Sequence, residues 1–166
     1  MKKIFALLFV SVFAFTACEG PEGPEGPPGE DGVNIVGETF EFENVDFSPQ
    51  NDFYEASFDP PLVEGDVMLA YRLETVENGQ DVWEPLPTAT IYFDNGGYLQ
   101  YRFNFTRNDV VIILESDDIS LLAPEYTQNQ VFRVVIVPSD LINSVDTSNI
   151  DAVMKAANIK SVQKLN

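Results

Sequence analysis

The chain of 166 residues has no histidine, one cysteine and only 9 basic residues against 27 acidic ones, for a formal charge of −18. Each shortage excludes a class of function. Without histidine there is no Ser-His-Asp or Cys-His catalytic unit and no imidazole metal ligand. A single cysteine excludes an internal disulfide, a zinc cage and a redox CxxC pair. The scarcity of Lys and Arg argues against nucleic acid as a partner, because its phosphates need cations to neutralise them. Neither a G-x-G-x-x-G stretch nor a P-loop occurs, so no nucleotide, nicotinamide or flavin cofactor is expected.

Residues 1–17 have the layout of an export signal. Lys2 and Lys3 precede an apolar run of 12 residues, Ile4 to Phe15. That run is shorter than the roughly 20 residues that span a bilayer and has the length of a secretory h-region. Phe15-Thr16-Ala17 then leads into Cys18, the only cysteine. Phe15 suits an ordinary signal peptidase poorly, whereas a lipoprotein signal accepts a large apolar residue there before its obligatory cysteine. The segment therefore resembles a lipobox, with Phe15 where Leu is usual. The resemblance implies that Cys18 is diacylglycerylated, becomes the new N-terminus and is acylated on its amine. Acyl chains contribute about 0.8 kcal/mol per buried methylene, so several on one residue anchor a protein without a transmembrane helix.

Glycine then recurs at every third position, 20, 23, 26, 29 and 32, with Pro and acidic residues between. This is the Gly-X-Y pattern of collagen, in which only glycine fits the axis of three packed chains. A short trimerising triple helix and an extended acidic tether are both compatible with it. The tether is favoured, because four triplets offer few interchain hydrogen bonds against the cost of ordering them. Residues 19–32 would reach at most about 43 Å at 3.1 Å per residue, and the protein is expected to be monomeric. Together, Cys18 and the run Glu19 to Gly32 resemble the collagen-like lipoproteins of the Bacteroidota type, whose function is unassigned. The likeness covers about a fifth of the chain. It implies an outer-membrane location, lipid-anchored and surface-exposed or periplasm-facing, with an envelope or extracellular partner it does not identify.

Residues 33–166 read as one domain carrying 22 acidic and 7 basic residues. Its dominant period is two: Phe40 and Phe42 alternate with Glu41 and Glu43, Val67 to Leu73 alternates with Met68, Ala70 and Arg72, and Leu99 to Phe105 alternates with Gln100, Arg102 and Asn104. Such alternation predicts strands with one buried and one wet face. The near-continuous apolar runs Val110 to Leu114 and Val131 to Val137 predict central strands, and Asn78-Gly79 predicts a tight hairpin turn. The fold expected is all-β, an immunoglobulin-like antiparallel β-sandwich of about 7–8 strands with one short C-terminal helix. Ser148 is the expected cap of that helix, over 149–157, with Ile150, Val153, Met154 and Ala157 on its apolar face. Ile159 to Leu165 is a candidate last strand.

No set of residues assembles a catalytic motif, so a non-enzymatic interaction module is the leading expectation. Trp83, Tyr98 and Tyr126 are the candidate ligand contacts, from an aromatic set that also includes Tyr92 and Tyr101; the bland alternative for these rings is core or edge cover. Glu115 with Ser116-Asp117-Asp118, and the loop Asp59 to Asp66, are candidate calcium loops, though no EF-hand spacing exists. A carbohydrate- or calcium-binding module is thus the second reading, and a carboxylate-dependent hydrolase the third. Finally, 14 acidic residues and no basic one lie between Cys18 and Arg72. An anionic lipid surface would repel that part of the chain and hold the domain away from it.

Overall fold

The computed structural model describes residues 37–142 and 145–165. The signal segment, Cys18 and the Gly-X-Y run lie outside the described residues. Among the described residues nine strands form two sheets. Sheet I contains β1 (Glu38–Val45), β3 (Val67–Glu77), β4 (Gln80–Pro85), β8 (Gln130–Val137) and β9 (Gln163–Leu165), in the order β4-β3-β8-β1-β9. Sheet II contains β2 (Phe53–Ser57), β5 (Ile91–Tyr92), β6 (Tyr98–Phe105) and β7 (Asp109–Ser116), in the order β2-β7-β6-β5. All pairs are antiparallel except β1 with β9. The protein is an all-β sandwich. The chain crosses to sheet II for β2, returns for β3 and β4, crosses again for β5 to β7, and ends in sheet I.

The core between the sheets is built from both. Phe42 of β1, Met68 and Ala70 of β3, and Phe132, Val134 and Ile136 of β8 meet Leu99 and Tyr101 of β6 and Val110, Ile112 and Leu114 of β7. The two apolar runs are central strands, β8 between β3 and β1 and β7 between β2 and β6. The run in β8 is continuous because sheet I is covered on both faces. Two short helical turns, α1 (Pro124–Thr127) and α2 (Ser139–Ile142), precede a longer helix, α3 (Ile150–Ala156), against which Tyr71, Val135 and Val137 pack on the outer side through Ile150, Val153 and the C-cap Ala157. The chain comes close enough here to demand glycine at residue 37, where a Cβ would lie 2.7 Å from the Ile136 carbonyl oxygen and 2.8 Å from Ala157 Cβ.

Local signals hold in most places. Asn78 and Gly79 both have positive φ, 51° and 78°, as the β3–β4 hairpin requires. The C-terminal helix presents the expected apolar face, but its cap is Asn149, whose side chain accepts from Ala152 N–H at 3.1 Å. Ser148 instead donates its hydroxyl to Asp146. The last strand forms over three residues. Two expectations of a wet face are corrected. Arg72 is only 8% exposed and Glu41 only 5%. Arg72 projects into the core, with its guanidinium 4.5 Å from the Tyr101 ring centroid and Nε donating to Gln130 Oε1 at 2.9 Å. Glu41 lies on the outer face of sheet I, where Arg133 and Lys164 on the flanking strands cover it.

Two tyrosine hydroxyls pin the layers together. Tyr71 donates to the Thr147 carbonyl at 2.7 Å, and Tyr101 donates to the Tyr126 carbonyl. Burial pushes both hydroxyls up to about 12, with the nearby Asp146 adding to the effect at Tyr71. Both values lie above the ordinary 10.0, so the unfolded chain loses these protons first. Their contribution to stability is complete below pH 10 and is lost as pH rises from there through about 12. Absorbance titration should therefore show Tyr71 and Tyr101 ionising late, with the unfolding midpoint falling over the same range. Ionisation of all 6 tyrosines together near 10 without unfolding would contradict their burial.

Candidate functional site

The β6–β7 register determines which loops meet. Leu99 stands opposite Ser116 and Tyr101 opposite Leu114, so the chain entering β6 lies beside the chain leaving β7. The entering segment is the turn Asp94-Asn95-Gly96-Gly97, closed by Phe93 N–H to the Gly97 carbonyl at 2.8 Å. The leaving segment is Asp117-Asp118, followed by a 3-10 turn (Ile119–Leu121) and a single helical turn, α1 (Pro124–Thr127). Asp117 Oδ1 accepts from Tyr98 N–H at 3.0 Å and ties the two segments together. Gly97 keeps that junction close, since a Cβ there would come 3.3 Å from Asp117 Oδ1. Asp118 caps the 3-10 turn, accepting from Ser120 N–H at 2.9 Å.

These segments enclose a cavity of about 350 Å³ at one end of sheet II. Phe93, Leu121, Leu122, Ala123 and Tyr126 supply its apolar walls, and Asp94, Asn95, Asp117 and Asp118 its polar groups. The Phe93 and Tyr126 rings meet edge to face with centroids 5.6 Å apart. Hydrogen bonds, first that from Tyr98 N–H, hold Asp117 below the usual carboxylate range, so it is a fixed negative charge and not a proton donor. The volume lies in the range of small-ligand sites.

The three candidate contacts do not converge. Tyr126 lines this cavity. Tyr98 borders it through its backbone, while its side chain lies with Tyr92 on the outer face of sheet II. Trp83 lies on the other sheet, and its ring is covered by the Arg133 guanidinium at 4.0 Å. Arg133 is held in turn by Glu41 at 2.5 Å, which also takes Lys164 at 3.2 Å. Trp83 therefore ends a transverse polar row on sheet I, consistent with edge cover. The Asp59 to Asp66 loop borders a separate groove of about 430 Å³ between the sheet edges, floored by Phe40, Phe58 and Leu62. Among the described residues, no group of three or more carboxylates is placed to hold a metal ion.

Sequence reasoning identified Tyr126 and Asp117-Asp118 separately and missed Phe93, Leu121 and Leu122. The available signal was the pairing of the Asp94–Gly97 turn with the end of β7, which follows once β5, β6 and β7 are taken as consecutive neighbours. Comparison with protein-family models, curated proteins and solved structures finds no match to this chain.

Proposed function

We propose that this chain is a lipid-anchored cell-envelope protein: Cys18 carries the lipid, the Gly-X-Y run is a spacer, and the β-sandwich is a non-enzymatic interaction module at the outer membrane. The observation that carries this reading is the order of parts, an apolar h-region, the lone cysteine immediately after it, and glycine at each third position from Gly20 to Gly32. Among the described residues no helix is long and apolar enough to cross a membrane. Replacement of Cys18 by alanine, or treatment with globomycin, should move the protein out of the membrane fraction or leave its signal uncleaved. Unchanged fractionation together with unchanged signal cleavage in the Cys18→Ala variant would sink the anchor. A second reading, that the module binds a small ligand, is favoured by the cavity lined by Phe93 and Tyr126.

A further inference from the structure

The cavity at the end of sheet II is asymmetric in charge as well as in shape. Asp94, Asp117 and Asp118 line it, and no Lys or Arg does. The ion pairs among the described residues lie elsewhere, Arg102 with Glu115, Arg133 with Glu41, and Lys164 with Glu41 and Glu43. The three carboxylates therefore have no counter-ion among the described residues. Apolar walls beside uncompensated charge focus the negative potential into the cleft. Phe93 and Tyr126, packed edge to face at 5.6 Å, supply aromatic wall beside these carboxylates. Leu121 lines the same cavity and is 71% exposed, which leaves an apolar surface open to a ligand's body.

We propose that this cavity binds an organic cation, an ammonium group carried on a compact apolar or aromatic body. The proposal rests on the reading of the sandwich as an interaction module and names the ligand class of its site. The walls suit the body and the carboxylates suit the charge. A neutral saccharide would leave that charge uncompensated, and an organic anion would be repelled. A bare metal ion finds no gathered carboxylates among the described residues and no use for the apolar walls.

The test is a matched series on one ring. Phenethylamine, 2-phenylethanol and phenylacetate are titrated into the full chain in a neutral detergent, with binding followed by NMR shifts of the Leu121 and Leu122 methyls and the Tyr126 ring. The cation should bind about ten-fold more tightly than the alcohol, weaken as salt is added, and leave phenylacetate unbound. Asp94→Asn should weaken the cation alone by several-fold, and Asp94→Asn with Asp118→Asn by about ten-fold. Asn at 118 can still cap its turn, and the Asp94 side chain makes no hydrogen bond or ion pair among the described residues. Equal binding of amine and alcohol, or indifference to both variants, would overturn the proposal, as would shifts that bypass the cavity. Anchoring is read by membrane fractionation and not by this titration, so each can fail while the other stands.

Discussion

Phe132→Ala should destabilise the domain by about 4 kcal/mol, the range expected when a fully buried aromatic ring is deleted. Phe132 is fully buried in the central strand of sheet I. It stands in register between Phe42 on β1 and Arg72 on β3. Across the interior its ring meets Phe47 edge-on at 6.1 Å and Tyr101 at 5.8 Å. No backbone shift closes such a hole cheaply, because both faces of the sheet are packed. A domain of this size has about 5–15 kcal/mol in total, so the variant should be marginal and its urea midpoint sharply lowered. Phe53→Ala is the control. Phe53 is 43% exposed on the edge strand β2 and should cost about 1 kcal/mol or less. Equal costs at the two positions would refute the assignment of the core.

Glu41→Gln should cost about 3 kcal/mol at neutral pH, since it strands a largely buried guanidinium. Arg133 keeps the Trp83 face but loses its only salt-bridge partner among the described residues. The pH dependence identifies the mechanism. Burial alone would raise the Glu41 carboxyl, but hydrogen bonds and charge from Arg133 and Lys164 outweigh burial and hold it below its ordinary 4.5. Its folded value is thus below its unfolded one, so the ion pairs contribute fully above 4.5 and fade as pH falls from there through the folded value. The stability gap between wild type and Glu41→Gln should therefore be widest at neutral pH and narrow as the pH falls below 4.5. Trp83 is the sole tryptophan, and its stacking under Arg133 makes its emission a local reporter of the same event. A gap that stays constant with pH would assign the loss to packing instead of charge.

Patterns that act over a few residues were legible in the sequence. The apolar run in β8, the Asn78-Gly79 hairpin and the inward face of α3 all follow from local rules, and each is found where expected. Glu41 and Arg72 were misread for one shared reason: a period of two reports alternation, not which face is covered. On sheet I the second face is closed by a segment more than 80 residues later, so Glu41 is covered by Arg133 at a separation of 92 and Lys164 at 123. Arg72 is accommodated in the core by Gln130, 58 positions away, and by the Tyr101 ring. The site shows the same division. Residue chemistry marked Tyr126 and the acidic pair Asp117-Asp118, but only the β6–β7 register places them around one cavity with Phe93. Trp83 had the right chemistry for a ligand, yet Arg133 already occupies its face.

The placement of β1 has a mechanical consequence. The N-terminal end of the described domain enters directly into β1, which lies between β8 and β9 instead of at the margin of its sheet. Tension applied through that end along the strand axis runs across the hydrogen bonds to β8, from Glu38 opposite Ile136 to Phe42 opposite Phe132, while β9 grips the other side. Ladder bonds of an antiparallel pair lie perpendicular to the strands, so this direction of pull loads them in shear, together, and does not unzip them in turn. Because β9 runs parallel to β1, Leu165 lies toward the opposite end of the strand, beside Phe42. A domain built this way yields late when tugged from its leading end.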